Sequence, residues 1–272
     1  VLNLEGITWE VAETVGQTTF RLGFRGDHVI AEWGACAWLL ATRDGRKLAF
    51  ETDGTVDAFT RKKLEAGSCA ALLRRLAKKL TVHGASAERE GRAVLVLGES
   101  GQGKSTAIAS LCARHGHRLV ADDLTWVDVD PTSREVTVVP SESAHFLTRG
   151  SCEALGLTVL EGHDFWEEET KCGVGAESAS APSKLVAVVT LAFAEGEPRL
   201  VSLDKLEALS LLLPQVARFG VEDRTSRRAE LDSLAGLLET TRAVRLERPR
   251  DLASLDRSVA LLSSLTHPRG TP

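Results

Sequence analysis

Ala93-Val94-Leu95-Val96-Leu97-Gly98-Glu99-Ser100-Gly101-Gln102-Gly103-Lys104-Ser105 decides the fold. Five apolar residues run without a break into a glycine-rich octet that completes the pattern G-x-x-x-x-G-K-[ST]. The apolar run has the length and continuity of a buried strand. Lys104 to Arg114 reads as a helix, and Gly116 stops it. The glycines let successive backbone N–H groups curl around phosphate oxygens, where side chains would clash. The new helix adds its positive end. Gly98, Glu99, Ser100, Gly101, Gln102, Gly103, Lys104, Ser105 and Thr106 are the expected nucleotide-binding residues. Lys104 is placed to reach the β- and γ-phosphates as a mobile point charge, and Ser105 to set its hydroxyl on Mg²⁺. Such a match arises by chance in roughly 1% of chains this long, so an ordinary glycine turn is the weaker reading. No G-x-G-x-x-G follows a first strand, which leaves a dinucleotide site unsupported.

A phosphate loop needs a carboxylate at the end of another strand. Asp122-Asp123 follows the short strand Arg118–Ala121 and is the candidate pair. Adjacent residues at a strand end point in different directions, so one acid can face a metal and the other an incoming nucleophile. That division suits phosphoryl transfer to an alcohol, where a base accepts the hydroxyl proton. Spacing alone does not decide which aspartate takes which role. His83, fifteen residues before Gly98, reads either as a residue returning to the phosphate end or as an ordinary histidine. No zinc spacing and no G-x-S-x-G elbow are present.

Around this core the chain alternates strand and helix patterns, the mark of an α/β layer. Ahead of it, Thr8–Glu13, Thr19–Phe24, His28–Trp33, Cys36–Ala41 and Lys47–Glu51 read as an antiparallel lobe, with Trp33 and Trp38 supplying bulk. Leu72, Leu76 and Leu80 predict an amphipathic helix over Ser68–Leu80, with Arg74, Arg75, Lys78 and Lys79 on solvated faces. The expected division is a β-rich lobe over 1–80 and a catalytic domain over 81–272. Thr125–Val129 and Glu135–Val139 flank a hairpin turn. From Ser141 to Ser183 the periodicity fades, and Glu161, Asp164, Glu167, Glu168 and Glu169 suggest an exposed, partly mobile segment. Further on, Leu185–Phe193 and Arg199–Val201 read as strands, with Ser202 able to cap the next helix. Thr225–Glu239 is helical, Ala243–Leu246 a strand and Leu252–Leu265 a last helix.

The 272 residues carry 33 basic and 38 acidic side chains, a net charge of -5, which argues against a nucleic-acid partner. No apolar run approaches the roughly 20 residues of a membrane span. Val1–Glu5 lacks the pattern of a signal peptide, and a cytoplasmic protein is the expectation. Five scattered cysteines without a C-x-x-C read as free, mostly buried thiols.

The phosphate loop, the run Gly116-His117-Arg118-Leu119-Val120-Ala121-Asp122-Asp123 and His83-Gly84 together resemble the catalytic core of bacterial HPr kinase/phosphorylase. The whole layout is similar to HPr-kinase-related proteins of peptide-modification clusters, such as lasso-peptide tailoring kinases. The likeness covers about Leu80 to Val129 and extends loosely to Arg248-Pro249-Arg250-Asp251-Leu252. It implies a P-loop core akin to phosphoenolpyruvate carboxykinase behind a small amino-terminal antiparallel β lobe. It implies ATP, or another nucleoside phosphate, with Mg²⁺, and a serine or threonine hydroxyl of a peptide or small protein as acceptor. By the same likeness Lys104 binds phosphates, Ser105 and Asp122 hold the metal, Asp123 accepts the proton and His83 is an active-site histidine. The family's Glu-x-Arg-Gly-x-Gly segment has no counterpart here, although Glu142 could stand in for its glutamate. The reverse phosphorylase reaction is therefore not carried over. A small-metabolite kinase and a nucleotide-binding regulatory module are the alternatives. HPr kinase is a hexamer, and a homo-oligomer is left open.

Overall fold

The computed structural model describes residues 4–15, 18–160, 164–165 and 171–267. Its two compact units are the chain up to Thr81 with Ala217–Leu231, and Val82–Val216 with the chain from Asp232 on. Ala217–Leu231 thus groups with the amino-terminal residues and not with its sequence neighbours.

The first unit is built on β1 (Thr8–Val15), β2 (Thr18–Arg25), β3 (His28–Trp33), β4 (Ala37–Thr42) and β5 (Lys47–Thr52), an antiparallel meander in chain order. Short glycine-containing turns join β2 to β3, β3 to β4 and β4 to β5. Leu22, Val29, Ala31, Leu39 and Phe50 line one face. Trp33 packs on Phe20 with ring centroids 5.4 Å apart. Trp38 instead donates its indole N–H to the buried Glu32 at 3.2 Å.

Cys69, Leu72 and Leu76 come from a helical stretch and bury against that face. The stretch comprises α1 (Ala58–Leu64), a π-helical turn (Glu65–Cys69) and α2 (Ala70–Leu76). The helix predicted over Ser68–Leu80 is corrected at both ends. It begins ten residues earlier, and it stops at Leu76 because Lys78 takes a positive φ of 60°. Leu80 starts the strand β6 (Leu80–His83).

Arg75 also departs from expectation. It is 3% exposed and donates to Glu230 at 2.8 Å and twice to the Val221 carbonyl. Arg218 donates to the same carboxylate at 2.6 Å. Burial alone would raise Glu230, but the two guanidiniums outweigh it and hold the carboxyl below its usual range. Removing one member of such a cluster strands the others without compensation. Glu230→Ala should therefore lose about 3–5 kcal/mol in denaturant unfolding, because two arginines lose their counter-charge. A loss below 1 kcal/mol would contradict the buried cluster.

The second unit follows as β7 (Ala85–Arg89), β8 (Arg92–Leu97), α3 (Lys104–His115), β9 (Arg118–Ala121), β10 (Leu124–Val129), β11 (Val136–Val139), β12 (Ala144–Thr148), α4 (Arg149–Leu155), β13 (Asp164–Phe165) and β14 (Lys171–Gly175). It continues with β15 (Ser183–Phe193), β16 (Arg199–Ser202), α5 (Lys205–Leu212), α6 (Arg224–Thr240, of which the residues up to Leu231 group with the first unit), β17 (Arg242–Arg248) and α7 (Leu255–Thr266). A mixed sheet dominates it, in the order β6-β10-β11-β15-β8-β7-β9, with β17 on β15 and β16 on β17. β8, β15 and β17 are mutually parallel.

Val94 and Val96 of β8 join a core with Ile108, Leu111, Val259 and Leu262 of α3 and α7. Leu95 and Leu97 are fully buried as well. Burial on both faces is why the strand reads as an unbroken apolar run.

The described residues of Ser141–Ser183 are more ordered than the sequence suggests. They form β12, α4 and β14, and Leu147, Cys152, Leu155, Cys172 and Val174 bury in the same core. The segment's strands are short and carry no clean alternation: in β12 His145 is buried among Ala144, Phe146 and Leu147, and in β14 Gly173 stands between Cys172 and Val174. Of its acidic cluster, Glu161, Glu167, Glu168 and Glu169 lie outside the described residues, as does the side chain of Asp164. The cap of α5 is Asp204, not Ser202: its carboxylate accepts from Leu206 and Glu207, and Glu207 reaches back to the Asp204 N–H.

Candidate active site

The phosphate loop and the acid pair reach the same edge of the sheet by pairing alone. β7 is antiparallel to both β8 and β9, so β8 and β9 run in the same direction. Gly98–Gly103 leaves the end of β8, and Asp122-Asp123 leaves the end of β9.

The loop is shaped by backbone that only glycine adopts without strain. Gly101 has a φ of 78° and Gly103 a φ of 81°, and Gly103 is the residue before α3. Gln102 folds its amide oxygen back to accept from the Glu99 N–H at 3.1 Å. The Lys104 ammonium donates to the carbonyls of Gly98 and Glu99 at 2.8 and 3.0 Å, within the loop. Burial lowers the pKa of Lys104, Asp123 and Asp122 oppose that, and Lys171 adds to it. The Thr106 hydroxyl is shared with Ser151 of α4 at 3.0 Å.

The two aspartates diverge as their adjacency requires. Asp122 is 3% exposed, and one carboxylate oxygen accepts from the Phe146 N–H at 2.5 Å. The other oxygen is buried without a hydrogen-bond partner. Burial pushes the Asp122 carboxyl up to about 8, with Glu142 and Asp123 adding to it and Phe146 and Ser105 holding it down. Asp123 is exposed.

His83 sits beside the pair for a steric reason. Gly84 donates to the Asp123 carbonyl at 3.0 Å and accepts from the Thr125 hydroxyl at 2.9 Å. A Cβ on Gly84 would stand 2.7 Å from Leu97 and 2.9 Å from the Val96 carbonyl, so the chain can approach β8 only through glycine. His83 is thereby fixed next in line, exposed, at the end of β6. The expected residues thus fall at one edge.

Three contributors escaped the sequence reading or were weighted too low. Glu142 accepts from the Asp122 N–H at 2.5 Å, placing a third carboxylate beside the pair. Arg248, at the end of β17, is 7% exposed and donates to the Gln102 carbonyl at 2.7 Å, clasping the loop from behind. Lys171 opens β14 and is close enough to lower Lys104. Arg149 is exposed at the start of α4, while Arg218 is committed to Glu230.

A cleft of about 470 Å³ lies at the other end of α3, lined by Cys112, Gly116, His117 and His145 among others. It holds neither the loop nor the acid pair. His145 is buried there with both ring nitrogens unpartnered, and burial pushes it down to about 4.

The family described as HPr Serine kinase C-terminal domain matches residues 74–162. The chain is related to HPr kinase. Over 130 residues it is 31% identical to the HPr kinase/phosphorylase of Lachnoclostridium phytofermentans, covering 46% of this chain and 40% of that protein. Over 87 residues it is 47% identical to the enzyme of that name from Lactobacillus delbrueckii subsp. bulgaricus, covering 32% and 26%. The chain therefore spans well under half the length of these HPr kinase relatives. A solved HPr(Ser) kinase/phosphatase from Coxiella burnetii aligns over 68% of this chain and 95% of its own, at 15% identity and a TM-score of 0.34, too low to bear on the fold. The HPr kinase match takes in His83, the phosphate loop, Asp122, Asp123 and Glu142. It stops short of β15 and β17, so Arg248 lies beyond it.

Proposed function

We propose that the chain is a Mg²⁺- and ATP-dependent kinase that phosphorylates a serine or threonine hydroxyl of a peptide or small protein. The unit from Val82 would be the catalytic domain, a P-loop core of the phosphoenolpyruvate-carboxykinase kind. The single observation that carries this reading is the pair of aspartates at the phosphate-loop edge, one buried beside Ser105 and the other exposed beside Lys104. Nucleotide binding alone has no need of the exposed one.

The residues fit a hard divalent cation. A buried carboxylate oxygen of Asp122 lacks a partner, and the Ser105 hydroxyl is its neighbour. Among the described residues no set of three or more His, Cys, Asp or Glu could hold a metal unaided, so phosphate and water would complete its shell. When bound, Mg²⁺ supplies charge neutralisation on the phosphates. The loop amides and Lys104 bind and orient the phosphates, and Lys104 offsets charge gathering on the transferred group. Asp123 takes the acceptor's hydroxyl proton as its oxygen bonds to the γ-phosphorus and the bond to the bridging oxygen breaks. His83 is suited to steady the acceptor or that proton. Glu142 fixes the Asp122 backbone.

The test is ATP turnover with Mg²⁺ in the presence of HPr, of serine-containing peptides, or of small hydroxyl metabolites, with products weighed by mass spectrometry. A phosphoryl gain on HPr or on a peptide supports the proposal. Gain on a metabolite alone replaces it with a small-molecule kinase, and binding without any transfer replaces it with a regulatory module.

A further inference from the structure

The phosphate loop seats the phosphates of a nucleotide and leaves its base to be placed. Topology restricts where the base can go. The acid pair occupies one flank of the loop, through β7 and β9. The other flank is β15 and then β17, both parallel to β8, so their carboxyl ends open at the loop's own edge. Ligands of α/β sheets collect at that edge. Thr190 is level with Leu97, the residue before the loop. Phe193 lies three residues further along β15, about 10 Å beyond at the rise of a strand.

Phe193 closes a strand whose residues Ala187–Leu191 are all buried, yet it is 41% exposed. It is level with Arg248 in the ladder, and the next residue, Ala194, donates its N–H to the Arg248 carbonyl at 2.9 Å. The Arg248 and Arg250 guanidiniums each stand 5.4 Å from the ring centroid. Arg248 also donates to the Gln102 carbonyl, and a Cβ on Gly103 would be 2.8 Å from it. One buried arginine therefore ties the exposed ring to the phosphate loop. An aromatic face and a planar guanidinium are both surfaces on which bases stack, without reading their edges.

We propose that Phe193, with Arg250, is the seat of the nucleotide's base, with stacking in place of edge recognition. The proposal rests on nucleotide binding by the phosphate loop. It implies a preference for purines and little discrimination between adenine and guanine.

The experiment compares Mg²⁺-ATP, Mg²⁺-GTP and Mg²⁺-tripolyphosphate by calorimetric titration against the unsubstituted chain, Phe193→Ala, Phe193→Trp and Arg250→Ala. Phe193→Ala should weaken ATP and GTP alike by about 5- to 100-fold. Tripolyphosphate, which has no base, should change less than about twofold, and Phe193→Trp should restore both nucleotides. Unchanged ATP affinity in Phe193→Ala, with tripolyphosphate still bound, would overturn the seat and leave the loop reading standing. Equal loss of all three ligands would make the ring a support of the loop and overturn the seat too. No binding of tripolyphosphate by the unsubstituted chain would fell the loop reading and the seat together.

Discussion

Asp123→Asn should lower phosphoryl transfer by about 10²- to 10⁴-fold, the range a positioned general base contributes. Nucleotide affinity should stay within a few-fold, because Asp123 is exposed and its backbone is held by Gly84 irrespective of the side chain. Asn keeps the shape and loses the ability to take a proton. The substitution also takes away the larger of the two charges supporting the Lys104 ammonium, so the lysine should be slightly easier to deprotonate in the variant. Single-turnover assays with ATP already bound separate the two effects. Lost binding with unchanged turnover would remove Asp123 from the role of proton acceptor.

How much of this was legible in the sequence depends on where the signal sits. Gly98–Ser105 is local: strand, loop and helix are contiguous, and each residue type is demanded by backbone curvature or phosphate charge. Asp122-Asp123 was readable because a strand end and a pair of acids are also contiguous, and their divergence follows from the period of two. Gly84 shows a harder case. Nothing in its immediate sequence marks the need for glycine: the structure uses it for close approach to Leu95, Val96 and Leu97, a requirement set by residues eleven to thirteen positions on.

Arg248 was out of reach for the same reason. It lies 146 positions from the carbonyl it binds, and only the parallel pairing of β15 and β17 brings it there. Arg75 misled for a different reason. A helical wheel put it on a basic face, and its partners Val221 and Glu230 come from a segment that returns after a whole domain's length. The stretch from Ser141 hid its strands because β12 and β14 are short and lack alternation: a buried His145 interrupts the apolar residues of β12, and Gly173 separates Cys172 from Val174 in β14.

Asp122→Asn should raise thermal stability at pH 8 while abolishing metal-dependent transfer. The Asp122 carboxyl is pushed up to about 8 from 3.8 by burial, so the sign is fixed. Below pH 3.8 both folded and unfolded chains hold the proton and the residue is neutral in its effect. Between 3.8 and about 8 the unfolded chain ionises and the folded one does not, so stability falls as pH rises. The cost approaches an upper limit on the order of 6 kcal/mol above pH 8. His117 and His145 act in the opposite sense. Burial lowers each to about 4, so their contribution is complete above pH 6.5 and is lost as the pH falls from there towards 4. The metal-free protein should accordingly be most stable near pH 6, with an alkaline slope set by Asp122 and an acid slope set by the two histidines. Asn at 122 still accepts from the Phe146 N–H and carries no charge to desolvate, so it should erase the alkaline slope and leave the acid one. Mg²⁺-ATP should shift the melting temperature of the unsubstituted protein at pH 8 more than that of the variant, because the cation offsets the same buried charge. Equal melting-temperature gains at pH 4 and pH 8, or transfer that survives the substitution, would show that Asp122 is a structural acid and that the metal is held elsewhere.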